Sequence, residues 1–286
     1  MGHGSVLDPP LARGAPRLPI HFAKWIFRNT ALMQRVLPLT SGDGDPRRPA
    51  ALPLAAPLVM LYTARMDSVF EIIGPSMVGP SSSHTAGAIR IGRAARALLG
   101  APPVHARIGL HGSFAATGAG HATDRGLVAG LLGFATDDER MKDAFDHARA
   151  AGLTVEFETA HLGDQVHPNT ASLDCASAEG LRRRLIASSI GGGMVQVVSV
   201  DGFPASFTGA LDTLVLWHSD VAGFLARVTA IIACVETNIA AIRTARQHRG
   251  ESALTVVEMD APLPASALDL LGRLRSVTDV RMLERF

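Results

Sequence analysis

A chain of 286 residues is long enough for about two domains of ordinary size, and neither core is limited by length. Its net charge of +1, with 19% charged residues, supplies no basic field and argues against a nucleic-acid partner. The two cysteines, Cys175 and Cys234, stand far apart without a CxxC, which points to a cytoplasmic protein with reduced thiols and away from a secreted disulfide framework.

Residues 1–65 differ from everything after them. Nine of the 17 prolines fall there, and basic residues outnumber Asp8, Asp43 and Asp45, a composition that does not sustain regular structure. The apolar run 52–61 is interrupted by Pro53 and Pro57 and is shorter than the roughly 20 residues of a membrane helix, so no membrane span is expected. The expectation is an irregular extension, with an Arg-rich transit peptide as the alternative and Met66 as a candidate biological start.

From Asp67 the pattern turns globular. A short apolar element over 68–73 is stopped by Gly74-Pro75. Gly79-Pro80-Ser81-Ser82-Ser83-His84-Thr85 then places four hydroxyls and an imidazole at the mouth of a predicted helix, where unpaired N–H groups and the positive dipole end favour an anion. In that helix Ile91, Ala94, Ala95 and Leu98 recur at i, i+3, i+4 and i+7, Arg90, Arg93 and Arg96 lie on other faces, and Gly100 and Pro102 supply the stop. A strand is predicted over 104–112, with Ile108 and Leu110 alternating against Arg107 and His111. Gly118-Ala119-Gly120-His121-Ala122-Thr123-Asp124 repeats the earlier arrangement: a glycine-rich loop with a histidine feeds a helix, here striped by Leu127, Val128, Leu131 and Leu132.

Asp137 or Asp138 caps a further predicted helix that ends near Gly152, and 153–158 alternates as a strand. His167-Pro168-Asn169-Thr170 falls in a loop, since proline cannot donate to a ladder and biases His167 toward extended backbone. Residues 184–200 read as two strands around Ser188-Ser189-Ile190-Gly191-Gly192-Gly193. The triple glycine lets backbone amides approach a ligand, or simply makes a tight turn.

A loop histidine is most often structural or solvated, the reading that holds for His105, His147, His161, His218, His248, His3 and His21. His84, His121 and His167 stand apart because each lies in a Gly-, Ser- or Thr-rich loop beside groups that bind carboxylates. Three histidines also suit an open zinc-type site, but no HxxxH or HxH spacing preorganises them.

In this order and at these spacings, 79–85, 120–124, 167–170 and 189–193 resemble the beta subunit, or beta domain, of the iron-sulfur-dependent bacterial L-serine dehydratases, and the resemblance runs from Met66 to the C-terminus. It implies an α+β fold, with a substrate-binding beta domain over 66–210, and an L-serine ammonia-lyase that uses a [4Fe-4S] cluster and no PLP. Three cysteines for the cluster come, in that family, from a separate alpha subunit or alpha domain. Cys175 and Cys234 alone are too few to hold four irons, so no metal ligand is assigned to this chain and a partner chain is implied. An open iron coordinates the substrate hydroxyl as a Lewis acid. A positioned base removes the α-proton, and an imidazole with an ordinary pKa near 6.5 suits that transfer.

On this resemblance the hydroxyls of Ser81, Ser82, Ser83 and Thr85 and the nearby N–H groups hold the carboxylate of serine, with Asn169 and Thr170 among the substrate contacts. His84 orients, His121 is the first candidate for the base and His167 the second, and Asp124 either orients an imidazole or binds the substrate ammonium. One departure stands out. The family pattern at the second loop is GHGTD, and this chain has Ala122 at the second glycine, a cost on the order of 1 kcal/mol if φ is positive there.

The last segment, 211–286, is expected to be a separate unit. Strand 213–217, helix 221–235, strands 239–246 and 252–260, helix 265–274 and strand 277–283 give a βαββαβ, ferredoxin-like plan. Asp220 to Val228 and Asn238-Ile239 resemble the ACT domain, a sensor of small molecules in amino-acid metabolism, with Ala222 replacing the usual proline or tyrosine. The resemblance makes Gly223 and Asn238 candidate effector contacts, or else turn-makers, and implies self-association through this domain within an assembly that includes alpha subunits. A regulatory amino-acid-binding subunit without catalysis is the rival reading; it has no need of His121 or His167. A phosphate-handling enzyme fits less well, because no Walker lysine follows the serine loop.

Overall fold

The computed structural model describes residues 74–286. The extension 1–65 and the apolar element expected over 68–73 lie outside the described residues. The observed architecture is mixed α and β, built on a six-stranded and a four-stranded sheet.

The serine loop enters its helix through a π-helical turn, Ser82–Ala86, which runs directly into α1 (Gly87–Leu99). The helix mouth therefore lies at Ser81, whose Oγ accepts from the His84 N–H at 3.1 Å. The predicted stripe of α1 is buried, and Gly100 ends the helix at φ 76° with its N–H on the Arg96 carbonyl. β1 (Pro103–His111) follows, then a short helix that the sequence does not announce, α2 (Ser113–Thr117). A 3₁₀ turn, Ala119–His121, leads to α3 (Thr123–Leu132), which packs on α1 through glycines. A Cβ on Gly130 would lie 2.1 Å from the Ile89 carbonyl oxygen, and one on Gly92 2.3 Å from that of Leu127, so the two backbones meet without side chains between them.

Asp138 is the cap, as expected, but of a 3₁₀ stretch Glu139–Asp143 that precedes α4 (Ala144–Ala150). β2 (Thr154–Thr159) pairs parallel to β1 at the sheet edge. β3 (Thr170–Ser177), β4 (Arg182–Gly191), β5 (Met194–Val200) and β6 (Phe203–Phe207) complete the sheet in the order β2-β1-β3-β4-β5-β6, all antiparallel from β1 onward. The glycine run 191–193, at φ 111°, 58° and 78°, is the β4–β5 hairpin turn. His111, expected on a polar face, is buried because the chain after β2 folds back over it: Leu162 N–H lies 3.3 Å from its Nδ1.

The second sheet contains β7 (Asp212–Ser219), β8 (Ile239–Arg246), β9 (Ser252–Met259) and β10 (Val277–Leu283), with α5 (Phe224–Cys234) and α6 (Ala265–Gly272) in the crossovers. Its order, β10-β7-β9-β8, all antiparallel, is that of a ferredoxin-like βαββαβ unit. α5 starts at Phe224, later than the expected 221, because Gly223 at φ 76° forms its N-cap. β7 and β9 are buried on both faces. Leu214 and Leu216 join the core under α5 and α6, while Val215 and Trp217 join the core of the first sheet.

Candidate active site

The strand register gathers the loops that the motifs occupy. His111 at the end of β1 lies opposite Thr170 at the start of β3, and Thr170 lies opposite Ser188 near the end of β4. The loops at 112–113, 167–169 and 189–193 therefore leave the sheet at one end. The Phe114 N–H donates to the Pro168 carbonyl at 3.4 Å and the Ser189 N–H to the Asn169 carbonyl at 2.8 Å. The π-turn docks at the same end: a Cβ on Gly87 would strike Ser189 Oγ at 2.1 Å, and Arg90 Nη1 donates to the Gly193 carbonyl at 2.8 Å.

His84 sits half-buried among hydroxyls. Its Nδ1 lies 3.2 Å from Ser83 Oγ, and its Nε2 lies 3.1 Å from Ser113 Oγ and 3.2 Å from Thr117 Oγ1. Thr117 Oγ1 donates its own proton to the Ser113 carbonyl at 3.0 Å, so it accepts from His84 Nε2–H, and Nδ1 accepts from Ser83. Both ring nitrogens are thus engaged and His84 is fixed in place. Burial, and then the neighbouring His121, lower its pKa and keep the ring neutral. Ser113 and Thr117 are missed by sequence reasoning; the only signal was an i, i+4 hydroxyl pair in a stretch too short to read as a helix.

His121 is exposed, its ring centroid 5.0 Å from that of His84. Its Nδ1 lies 3.0 Å from the Thr117 carbonyl. A carbonyl only accepts, so Nδ1 carries the proton and the neutral ring presents its Nε2 lone pair. His167, also exposed, has the opposite arrangement. The Asn169 N–H donates to its Nδ1 at 3.1 Å, which leaves the proton on Nε2. Burial lowers the His167 pKa.

The remaining predicted contacts divide. Ser81, Ser82 and Ser83 are half-buried at the helix mouth, where the first N–H groups of the turn have no partner within the helix. Thr85 is fully buried, and its hydroxyl donates to the His121 carbonyl at 2.8 Å, fastening the two histidine loops together. Thr170 is likewise buried; its Oγ1 donates to the His167 carbonyl at 2.6 Å and accepts from Ser188 Oγ at 2.6 Å. The Asp124 carboxylate accepts from the Arg125 N–H at 2.8 Å, whereas the imidazoles are held by hydroxyls and backbone groups. Ala122 has φ 56° and ψ 33°, the left-handed region that a glycine would occupy without cost. In the second sheet, Gly223 caps α5 and Asn238 Nδ2 donates to Asp260 Oδ2 at 2.8 Å, so both make turns locally. They stand at opposite ends of an 11-residue helix, about 16 Å long at 1.5 Å per residue.

Comparison with known proteins places these motifs. The family "Serine dehydratase beta chain" matches residues 68–199. An L-serine dehydratase beta chain of Peptoniphilus asaccharolyticus is 38% identical over 217 residues, 76% of this chain and 98% of that one. A probable L-serine dehydratase beta chain of Bacillus subtilis (strain 168) is 40% identical over 213 residues, covering 74% and 96%. A shorter stretch of 79 residues, 26% of this chain and 17% of the other, is 39% identical to L-serine dehydratase TdcG of Escherichia coli (strain K12).

Proposed function

This chain belongs to the serine dehydratase beta chain family, and we propose that it forms the substrate-holding half of a cytoplasmic L-serine ammonia-lyase that yields pyruvate and ammonia in company with an alpha subunit. The observation that carries this reading is the His121 ring, whose Nδ1 proton is held by the Thr117 carbonyl so that an exposed Nε2 lone pair faces out beside the serine-rich helix mouth.

The carboxylate of L-serine would sit at that mouth, on the hydroxyl of Ser82 and the unpaired N–H groups of the first turn, the Ser83 hydroxyl being already given to His84. The α-proton would pass to His121 Nε2, the negative charge being dispersed by the surrounding donors. His167 presents Nε2–H and would donate a hydrogen bond in place of taking a proton. His84, saturated by Ser83, Ser113 and Thr117 and kept neutral, would fix the serine turn relative to His121 without competing for the proton. Loss of the α-proton and of hydroxide leaves aminoacrylate, which tautomerises to the imine and is hydrolysed to pyruvate and ammonia.

Departure of the hydroxyl is the part the family resemblance assigns to a [4Fe-4S] cluster, and the residues of this chain do not fit such a group. Cys175 is buried in β3 with its thiol pushed up to about 12 by burial and by Asp174, and Cys234 lies at the end of α5 in the other sheet. Among the described residues no three His, Cys, Asp or Glu side chains gather around one point. We therefore assign the cluster to cysteines of the alpha subunit. The βαββαβ unit would serve as an ACT-type sensor in which two copies of this chain pair, bringing Gly223 of one near Asn238 of its partner around an amino-acid effector; the topology and the Gly223 turn support this.

The test is anaerobic co-expression with a three-cysteine alpha partner and a pyruvate assay on L-serine. The pair is expected to be active and this chain alone inactive; activity of this chain alone would overturn the two-subunit reading.

A further inference from the structure

In the ferredoxin-like unit, the start of α5 and the link from α6 to β10 border a cavity of about 570 Å³, open to solvent and lined by Ser219, Val221, Arg227, Arg273, Leu274, Arg275 and Ser276. Residues 211–286 contain eight arginines and no lysine. Arg243, Arg246, Arg281 and Arg285 are paired with Glu258, Asp220, Asp279 and Asp212. Of the four others, three border this one cavity, and among the described residues none of the three has a carboxylate within 4 Å.

Arg273 and Arg275 follow the C-terminus of α6, where a cation complements the helix dipole. Arg227 has no such excuse. It lies in the first turn of α5, at the positive end of the dipole, and its Nη1 sits 3.4 Å from where a Gly223 Cβ would be, so the guanidinium folds over the helix mouth. That turn has no side-chain cap and no acidic residue. A guanidinium at the wrong end of a helix, facing two more across a cavity, is an arrangement that an anion would stabilise.

We propose that this cavity binds a small organic polyanion, bearing a phosphate or at least two carboxylates, as an effector distinct from any amino acid. No acidic side chain lines it to receive an ammonium. Asp220, next in sequence to the lining, is turned away onto Arg246 at 2.8 Å and the Gly250 N–H at 3.1 Å. Ser219 and Ser276 also line it and are joined by the Ser219 N–H to Ser276 carbonyl bond at 2.8 Å. The volume falls within the range of small-ligand sites and exceeds what inorganic phosphate alone would fill. The cavity shares no residue with the histidine loops, so failure here leaves the reading of that site standing.

The test uses the full chain at constant ionic strength, titrated calorimetrically with pyrophosphate, citrate, L-serine and sodium chloride. Saturable binding of pyrophosphate or citrate is expected, and which of the two binds more tightly distinguishes a phosphate from a carboxylate ligand. Arg227→Gln should weaken it by about tenfold, and Arg273→Gln with Arg275→Gln by at least as much. All three side chains are exposed, so the unliganded melting temperature of each variant should stay within a few degrees of the parent, up slightly for Arg227→Gln and down slightly for the Arg273 and Arg275 pair. Non-saturable effects that chloride reproduces, or undiminished binding when Arg227→Gln, Arg273→Gln and Arg275→Gln are combined, would overturn the proposal.

Discussion

Two backbone contacts give His121 and His167 opposite tautomers, and this divides their chemistry. The Thr117 carbonyl holds a proton on His121 Nδ1, while the Asn169 N–H takes the lone pair of His167 Nδ1. Nitrogen-15 NMR at neutral pH should find Nε2 unprotonated in His121 and protonated in His167; the reverse pattern would exchange their roles. Burial lowers the pKa of His84, His167 and also His218 below the ordinary 6.5. The unfolded chain then takes up protons first, so stability is complete above about pH 6.5 and declines as the pH falls through the lowered native values. The melting temperature should therefore drop between pH 7 and 5, and a flat profile would contradict the desolvation, partial for the exposed His167, that lowers the pKa of these rings. Ala122 at φ 56° is a third residue with a legible consequence: Ala122→Gly should stabilise by up to about 1 kcal/mol in denaturant unfolding, since only glycine adopts that conformation freely. The conditional cost read from the sequence at this position is realised in the observed φ.

At the scale of elements, the α1–α3 crossing sets how the two histidine loops face each other. Thr85 and His121, joined by a hydrogen bond, stand at the N-terminal ends of these helices, and close approach depends on Gly92 and Gly130. Gly130→Ala should cost about 2–3 kcal/mol, because the added carbon meets backbone that cannot step aside. Gly120→Ala, with nothing within 4 Å, should change stability by less than about 0.5 kcal/mol. Equal effects of the two in thermal unfolding would show that the crossing is looser than described. Helix α1, both ends of the β4–β5 pair and all six elements of the last segment were legible to within three residues, because periodicity, Gly100 and the 191–193 turn all point the same way. α2 was not legible, being five residues long; nor was β6, whose Pro204 reads against a strand and is tolerated only because β6 is a sheet edge. β3, rich in small and polar residues, is a strand because it lies between β1 and β4, a tertiary cause that local pattern does not carry.

For the molecule as a whole, the two sheets are held together by shared apolar core and by one half-buried polar cluster. Arg183 of β4 stacks over the Trp217 ring of β7 at 4.2 Å and pairs with Asp279 of β10, while Trp217 Nε1 donates to Asp201 at 2.8 Å. Arg183→Met would leave Asp279 with Arg281 alone, and a loss of about 1–3 kcal/mol is expected in denaturant unfolding. β4 carries Arg183 at this junction and Ser188 and Ser189 at the histidine site, so the same strand serves both the contact between sheets and the floor of the site. The sequence motifs identified which loops belong together, but the Ser113 and Thr117 hydroxyls that hold His84 become visible only when residues some 30 apart in sequence are brought into contact, while the backbone groups that hold His121 and His167 are set by local turns. His121 is the residue proposed to take the α-proton, and the most direct measurement is pyruvate formation from L-serine by the complex reconstituted with His121→Gln. A loss of roughly 10²–10⁴-fold in kcat with serine binding retained is predicted; turnover at the parental rate would contradict it.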